Sequence, residues 1–207
     1  VLISSSALAE KKLIKIERDD NVVLHGNLLK HRDNNSIFLL VHGTRAFNGM
    51  EIIEKLSQKI HDLGHDVLSI NLSYGISARG SNFLSCDIEH RHNEHDSVKE
   101  IILWHKFLLS RNYSEIHLLG HSRGALNVLQ AASIIGENKI RLYLLAPIID
   151  TYQGTLKYYV SEHNLPYQEI INNDSEFMIS DKYPPINFLF CENAKVSSTT
   201  FRSYLDF

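Results

Sequence analysis

Gly120-His121-Ser122-Arg123-Gly124 stands between an apolar run at 116–119 and a helical run at 125–135. Read as strand, sharp turn and helix, it forces a serine into a strained bend that lifts its hydroxyl above a sheet. Side chains two residues to either side would collide with neighbouring backbone, which accounts for glycine at 120 and 124. The amide of Arg123 then points to where a substrate oxyanion would form, and the following helix aims the positive end of its dipole at the same place. Upstream, 37–41 reads as a buried strand ending in a second glycine turn, His42-Gly43-Thr44.

Each turn alone is a weak signal, since tight glycine turns also follow strands in other doubly wound folds. The two together, in this order and separation, resemble the alpha/beta-hydrolase family, and the resemblance covers about residues 11 to 150. It implies an α/β architecture, a mostly parallel sheet with helices on both faces. It also implies Ser122 as nucleophile, the backbone amides of Arg123 and Thr44 as the oxyanion hole, and a small-molecule acyl substrate. His42 and Gly43 belong to the oxyanion loop, His42 to orient it rather than to transfer protons, and His121 is the variable residue of the elbow. These three are expected to line the substrate.

The 207 residues, 43% hydrophobic with a net charge of −3, suit one globular domain with a sizeable core. No basic stripe marks a nucleic-acid partner, and no apolar run is long enough to cross a bilayer. No cofactor-binding motif is found, and nothing reads out an oligomeric state. Residues 1–9 are apolar and small and end Ala7-Leu8-Ala9, like the tail of a secretory signal with its cleavage site. That predicts a periplasmic or secreted protein; an ordinary apolar N-terminus would leave it cytoplasmic. Cys86 and Cys191 are too few for a disulfide framework; they could pair in an oxidising compartment, but their environments look unrelated and they read as two free thiols.

Along the chain, 13–17 and 22–29 flank Asp19-Asp20-Asn21 as a hairpin at one sheet edge. Ile52, Ile53, Leu56, Ile60 and Leu63 predict a helix closed by Gly64, followed by a strand at 67–72. The polar segment 73–94 falls where such folds place ligand-binding loops. Val98, Ile101, Ile102, His105, Leu108 and Leu109 form one face of the next helix, with His105 as a core histidine. Ala125, Val128, Leu129, Ala132 and Ile135 give the elbow helix its buried stripe, and 140–146 is expected as a buried strand. The core thus spans 10–150, and 151–207 reads as a cap or lid in which Tyr152, Tyr158, Tyr159 and Tyr167 either line the site or pack helices.

A serine nucleophile needs a base, and in this fold the order is Ser, Asp or Glu, then His. After Ser122 the sequence holds one histidine, His163, and Asp150 follows the strand at 140–146, so these two form the acid–base candidate. The run 186–190 is either the seventh strand, with Ala194 where the acid belongs and the triad decayed, or part of the cap. Under the second reading the last strands lie beyond residue 207. That reading is preferred, because a parallel sheet without them exposes an unpaired edge. The segment 188–204 also resembles a cap segment of bacterial alpha/beta-hydrolases whose acid and histidine lie further on, so a triad completed by Asp150 and His163 is the less favoured alternative. The alternatives for function follow: a serine hydrolase of ester, thioester or amide bonds, or a silent binding protein on the same fold.

The stretch 87–96, Asp-Ile-Glu-His-Arg-His-Asn-Glu-His-Asp, holds residue types that can ligate zinc. No second ligand-rich motif accompanies it, so no metal is expected and a polar loop entering a helix accounts for it. The family resemblance includes a histidine-rich entry to this helix, which makes His90 and His92 candidates to line the substrate.

Overall fold

In the segment SIFLLV every side chain is buried, and the sheet is assembled outward from it. A computed structural model describes residues 11–31, 34–136, 140–148, 166–172 and 175–205. β1 (Lys12–Glu17) and β2 (Val23–Leu29) form the expected hairpin, turned at Asn21 with φ 65°. β3 (Ser36–Val41) is the buried segment. α1 (Glu51–Asp62) leads to β4 (Asp66–Ile70), which lies parallel to β3.

A loop carrying the two-residue β5 (Glu89–His90) enters α2 (Glu94–Ser110), capped by Asn93, whose side chain accepts from the amide of His95. β6 (Glu115–His121), α3 (Arg123–Ile135) and β7 (Arg141–Leu145) follow. The six-stranded sheet has the order β1-β2-β4-β3-β6-β7, and β2 joins β4 antiparallel while β3, β4, β6 and β7 run parallel.

Strand alternation sorts the core onto two faces. Ile37, Leu39 and Val41 pack with Trp104, Val98, Ile101 and Leu108 of α2 and Val128 and Ala131 of α3. Phe38 and Leu40 turn to the other face and meet Ile53 and Ile60 of α1. Helices thus cover both sides of the sheet, and the carboxyl ends of β3 and β6 open side by side.

Several expectations need correction. The strand at 140–146 is not buried: Tyr143, Leu144 and Leu145 are 37–40% exposed, because β7 has no pairing strand on its outer side among the described residues. Leu63, Leu109 and Leu129 also face outward, Leu63 because α1 ends before it.

The cysteines are not free thiols. Cys86 and Cys191 form a disulfide with their Cα atoms 5.3 Å apart. Their environments look unrelated in sequence because the pairing of β5 with the strand Cys191–Val196, which brings them together, joins segments about a hundred residues apart.

The region after residue 165 adds α4 (Tyr167–Asn172), α5 (Ile179–Lys182), β8 (Ile186–Phe188), β9 (Cys191–Val196) and α6 (Ser198–Leu205). β8 pairs with β9, and β9 pairs with β5, as a separate three-stranded sheet. The run at 186–190 is therefore no strand of the main sheet. Ala194 is buried in the small sheet's own core with Ile170, Ile179, Phe188, Val196 and Phe201. The disulfide spans 105 residues and anchors this unit to the loop after β4. Loop-closure entropy gives such a link up to about 5 kcal/mol. Reduction, or Cys86→Ser, is expected to lower the urea midpoint of unfolding. An unchanged midpoint under reductant would show that the link does not hold the unit in place.

Candidate active site

Ser122 sits at the point where β6 becomes α3, with φ 56° and ψ −123°. A non-glycine residue with positive φ in this region is strained, and it is held here by what surrounds it. A Cβ on Gly120 would lie 2.2 Å from the carbonyl oxygen of Gly124, and one on Gly124 would lie 2.3 Å from the carbonyl oxygen of His42. Both glycines are thus steric requirements of the bend. Ser122 is half-buried, its amide donates to the Leu145 carbonyl at 2.9 Å, and its hydroxyl makes no hydrogen bond among the described residues.

The second turn comes directly against the first. A Cβ on Gly43 would stand 3.0 Å from the Cβ of Ser122 and 3.4 Å from Nδ1 of His121, which is itself buried without a partner. The amides of Thr44 and Arg123 flank this contact, and neither donates to a backbone acceptor among the described residues. The Thr44 hydroxyl is also unpartnered.

His42 is fully buried and both its ring nitrogens are engaged. Nδ1 bonds the Gly43 carbonyl at 2.8 Å, and Nε2 accepts from the Leu72 amide at 3.1 Å. Burial, with the Arg79 charge behind it, lowers its pKa to about 3. A neutral ring with both nitrogens engaged holds the loop and has no free lone pair to take up a proton.

Two residues unmarked in the sequence hold that loop from behind. Arg79, buried, donates to the carbonyls of Leu72, Ala46 and Asn82, and the Tyr74 hydroxyl accepts from the Arg45 amide at 3.0 Å. A buried guanidinium satisfied by carbonyls acts as a rigid staple.

His90 and His92 are buried where the small sheet meets the core. His90 packs against Phe188 and His92, and both its nitrogens are unpartnered. His92 Nε2 bonds the Tyr204 hydroxyl at 2.8 Å. Burial lowers the pKa of His90 to about 4 and of His92 to about 3. Among the described residues no three His, Cys, Asp or Glu side chains converge as a metal site.

Beside them lies a buried polar cluster that sequence reading missed. Burial raises the Glu94 carboxyl to about 7 against the pull of the Arg123 guanidinium. With its amide oriented to donate, Asn127 reaches Glu94 Oε1 at 3.1 Å and the Arg123 carbonyl at 3.0 Å. The Arg123 guanidinium lies over the Tyr204 ring, 5.0 Å from its centroid. The one sequence signal was Asn127 itself, four residues from Arg123 on the inward stripe of α3. Asp150 and His163, the acid–base candidates, lie outside the described residues, as do Tyr152, Tyr158 and Tyr159 and the side chain of Tyr167.

Similar backbones occur among solved structures. Est1E from Butyrivibrio proteoclasticus with ferulic acid bound is 15% identical, with a TM-score of 0.62 over 94% of this chain and 71% of that one. An esterase of Pyrococcus furiosus, Pf2001, is 18% identical, with a TM-score of 0.57 over 77% of this chain and 59% of that one. The Penicillium alpha/beta hydrolase GrgF is 13% identical, with a TM-score of 0.56 over 96% of this chain and 73% of that one. The chain has the alpha/beta-hydrolase fold. No protein-family model and no curated protein matches the sequence. The chain spans 59% of the length of the Pyrococcus esterase. Within the alpha/beta-hydrolase fold, the β6–α3 bend occupies the carboxyl edge of the sheet, where ligands of α/β proteins bind. No helix among the described residues is long and apolar enough to cross a membrane.

Proposed function

We propose that the protein is a serine hydrolase of acyl esters, thioesters or amides, with Ser122 as nucleophile. The observation that carries this reading is the strained bend at Ser122, whose Cβ lies against the His42-Gly43-Thr44 turn and whose hydroxyl has no partner among the described residues. The hydroxyl oxygen attacks the acyl carbonyl carbon as its proton passes to a general base. The oxyanion is taken by the amides of Arg123 and Thr44, the alcohol, thiol or amine leaves, and water then cleaves the acyl–serine bond. His163 and Asp150 follow Ser122 in the order this chemistry uses and are the candidates for base and acid that this sequence offers. Residues 166–205, with their own core tied to the loop after β4 by the disulfide, act as the cap over the site. The paired cysteines fit an oxidising compartment, periplasmic or secreted.

The test is pre-steady-state turnover of p-nitrophenyl acetate. An acyl-enzyme mechanism predicts a burst of nitrophenolate close to one equivalent of protein, followed by slower steady release. Folded protein giving neither burst nor turnover would favour the silent binding protein.

A further inference from the structure

We propose that Glu94 is a positioning residue for the Ser122 elbow: through Asn127 and Arg123 its buried carboxyl fixes the first turn of α3, and with it the direction of the Arg123 amide. The proposal rests on the reading of Ser122 as nucleophile and names a group that acts on that site without touching substrate.

The geometry is specific. Glu94 is fully buried at the start of α2. The Asn127 amide nitrogen bridges its Oε1 to the Arg123 carbonyl, so the carboxyl is one side chain removed from the Arg123–Gly124 peptide, next to the one that carries the Arg123 amide. The Arg123 side chain is turned inward over Tyr204, with its Nε buried and unpartnered. Loss of the facing carboxylate would free that guanidinium to reorient, and the N-terminal turn it belongs to would follow.

The far side of Glu94 is held by α6. The Ser203 hydroxyl accepts from the Glu94 amide at 3.0 Å, and Thr200 Oγ1 donates to the carbonyl of His90 or His92, 3.0 and 2.6 Å away. Glu94 is therefore where the 166–205 unit and the elbow meet. The charged or titratable groups that face it are Arg123 from α3, Tyr204 from α6, Tyr74 from the loop after β4, and His92 through the Tyr204 hydroxyl. Burial keeps His92 neutral and both tyrosines protonated through the neutral range, so the ionisation that changes there is that of Glu94.

The test is the rate at which a fluorophosphonate labels Ser122 in the protein and in Glu94→Gln, measured from pH 5 to pH 9. Glutamine keeps the shape and an acceptor for Asn127 but cannot ionise. The two proteins are expected to label at equal rates near pH 5, where the carboxyl is protonated, and the variant is expected to fall behind by about tenfold above pH 8, a fraction of what a lost oxyanion donor costs.

Equal rates at every pH, or a constant ratio across the range, would overturn the positioning role while leaving Ser122 as nucleophile. Absence of labelling in the unaltered protein would instead remove the reading on which the proposal rests. Should Glu94→Gln fail to fold, Asn127→Ala breaks the same bridge and is expected to slow labelling at pH 8. Unchanged labelling in that variant overturns the proposal.

Discussion

Ser122→Ala is expected to reduce ester turnover by about 10⁴- to 10⁶-fold, the range seen when a triad serine is removed, while leaving stability within about 0.5 kcal/mol. The two halves of this expectation have separate physical causes. The kinetic loss follows because no acyl-enzyme can form without the hydroxyl oxygen. The stability is preserved because that hydroxyl makes no hydrogen bond among the described residues, so its deletion leaves no buried group without a partner. Alanine must adopt the same φ of 56°, so it neither relieves nor adds backbone strain. Steady-state kinetics and urea unfolding of the same preparation check both halves. A stable variant that keeps its turnover would place the chemistry elsewhere, and a variant that unfolds would make Ser122 a structural residue.

Gly124→Ala is expected, like Gly120→Ala, to be among the most damaging single-methyl changes, costing about 3 kcal/mol or more. The added carbon would sit 2.3 Å from the His42 carbonyl oxygen and 2.7 Å from that of Val41, and both belong to backbone at the end of the central strand. Neither can retreat without breaking the pairing of β3 with β4 and β6. Any folded fraction would have His42 and Gly43 pushed away from Ser122, so turnover should fall further than stability alone explains. Gly64→Ala is the control. That residue has φ +94° but open space around it, so alanine meets only the backbone cost of about 1 kcal/mol. Equal urea midpoints for the two variants would contradict the steric account of the bend.

The bend at Ser122 and the His42-Gly43-Thr44 turn were legible in the sequence because the constraints that spell them are local. A tight bend excludes Cβ atoms at fixed offsets, and Gly120 and Gly124 register that exclusion in the residues themselves. The hairpin around Asn21 and the helices α1 to α3 were legible for the same reason, since period and turn chemistry act within a dozen residues.

Burial was less legible. Leu63, Leu109 and Leu129 fit their helical stripes yet face outward, because the stripe predicts a direction and not what stands opposite. Tyr143, Leu144 and Leu145 read as interior for the same reason.

What the sequence hid are contacts between distant segments. Cys86 meets Cys191 because β5 pairs with β9, and Glu94 meets Arg123, Asn127 and Tyr204 where three helices converge. No spacing rule links such positions. Arg79 and Tyr74, which hold the oxyanion loop from behind, lie in the aperiodic stretch 73–94 and carry no local signature of that role.

Covalent labelling at one atom tests the central claim most directly. The protein is treated with a fluorophosphonate at neutral pH and digested, and the adduct is located by mass spectrometry. The account predicts a single phosphonyl group on Ser122 that is absent from Ser122→Ala, whereas a folded protein left unlabelled at Ser122, or labelled equally in the alanine variant, would contradict it.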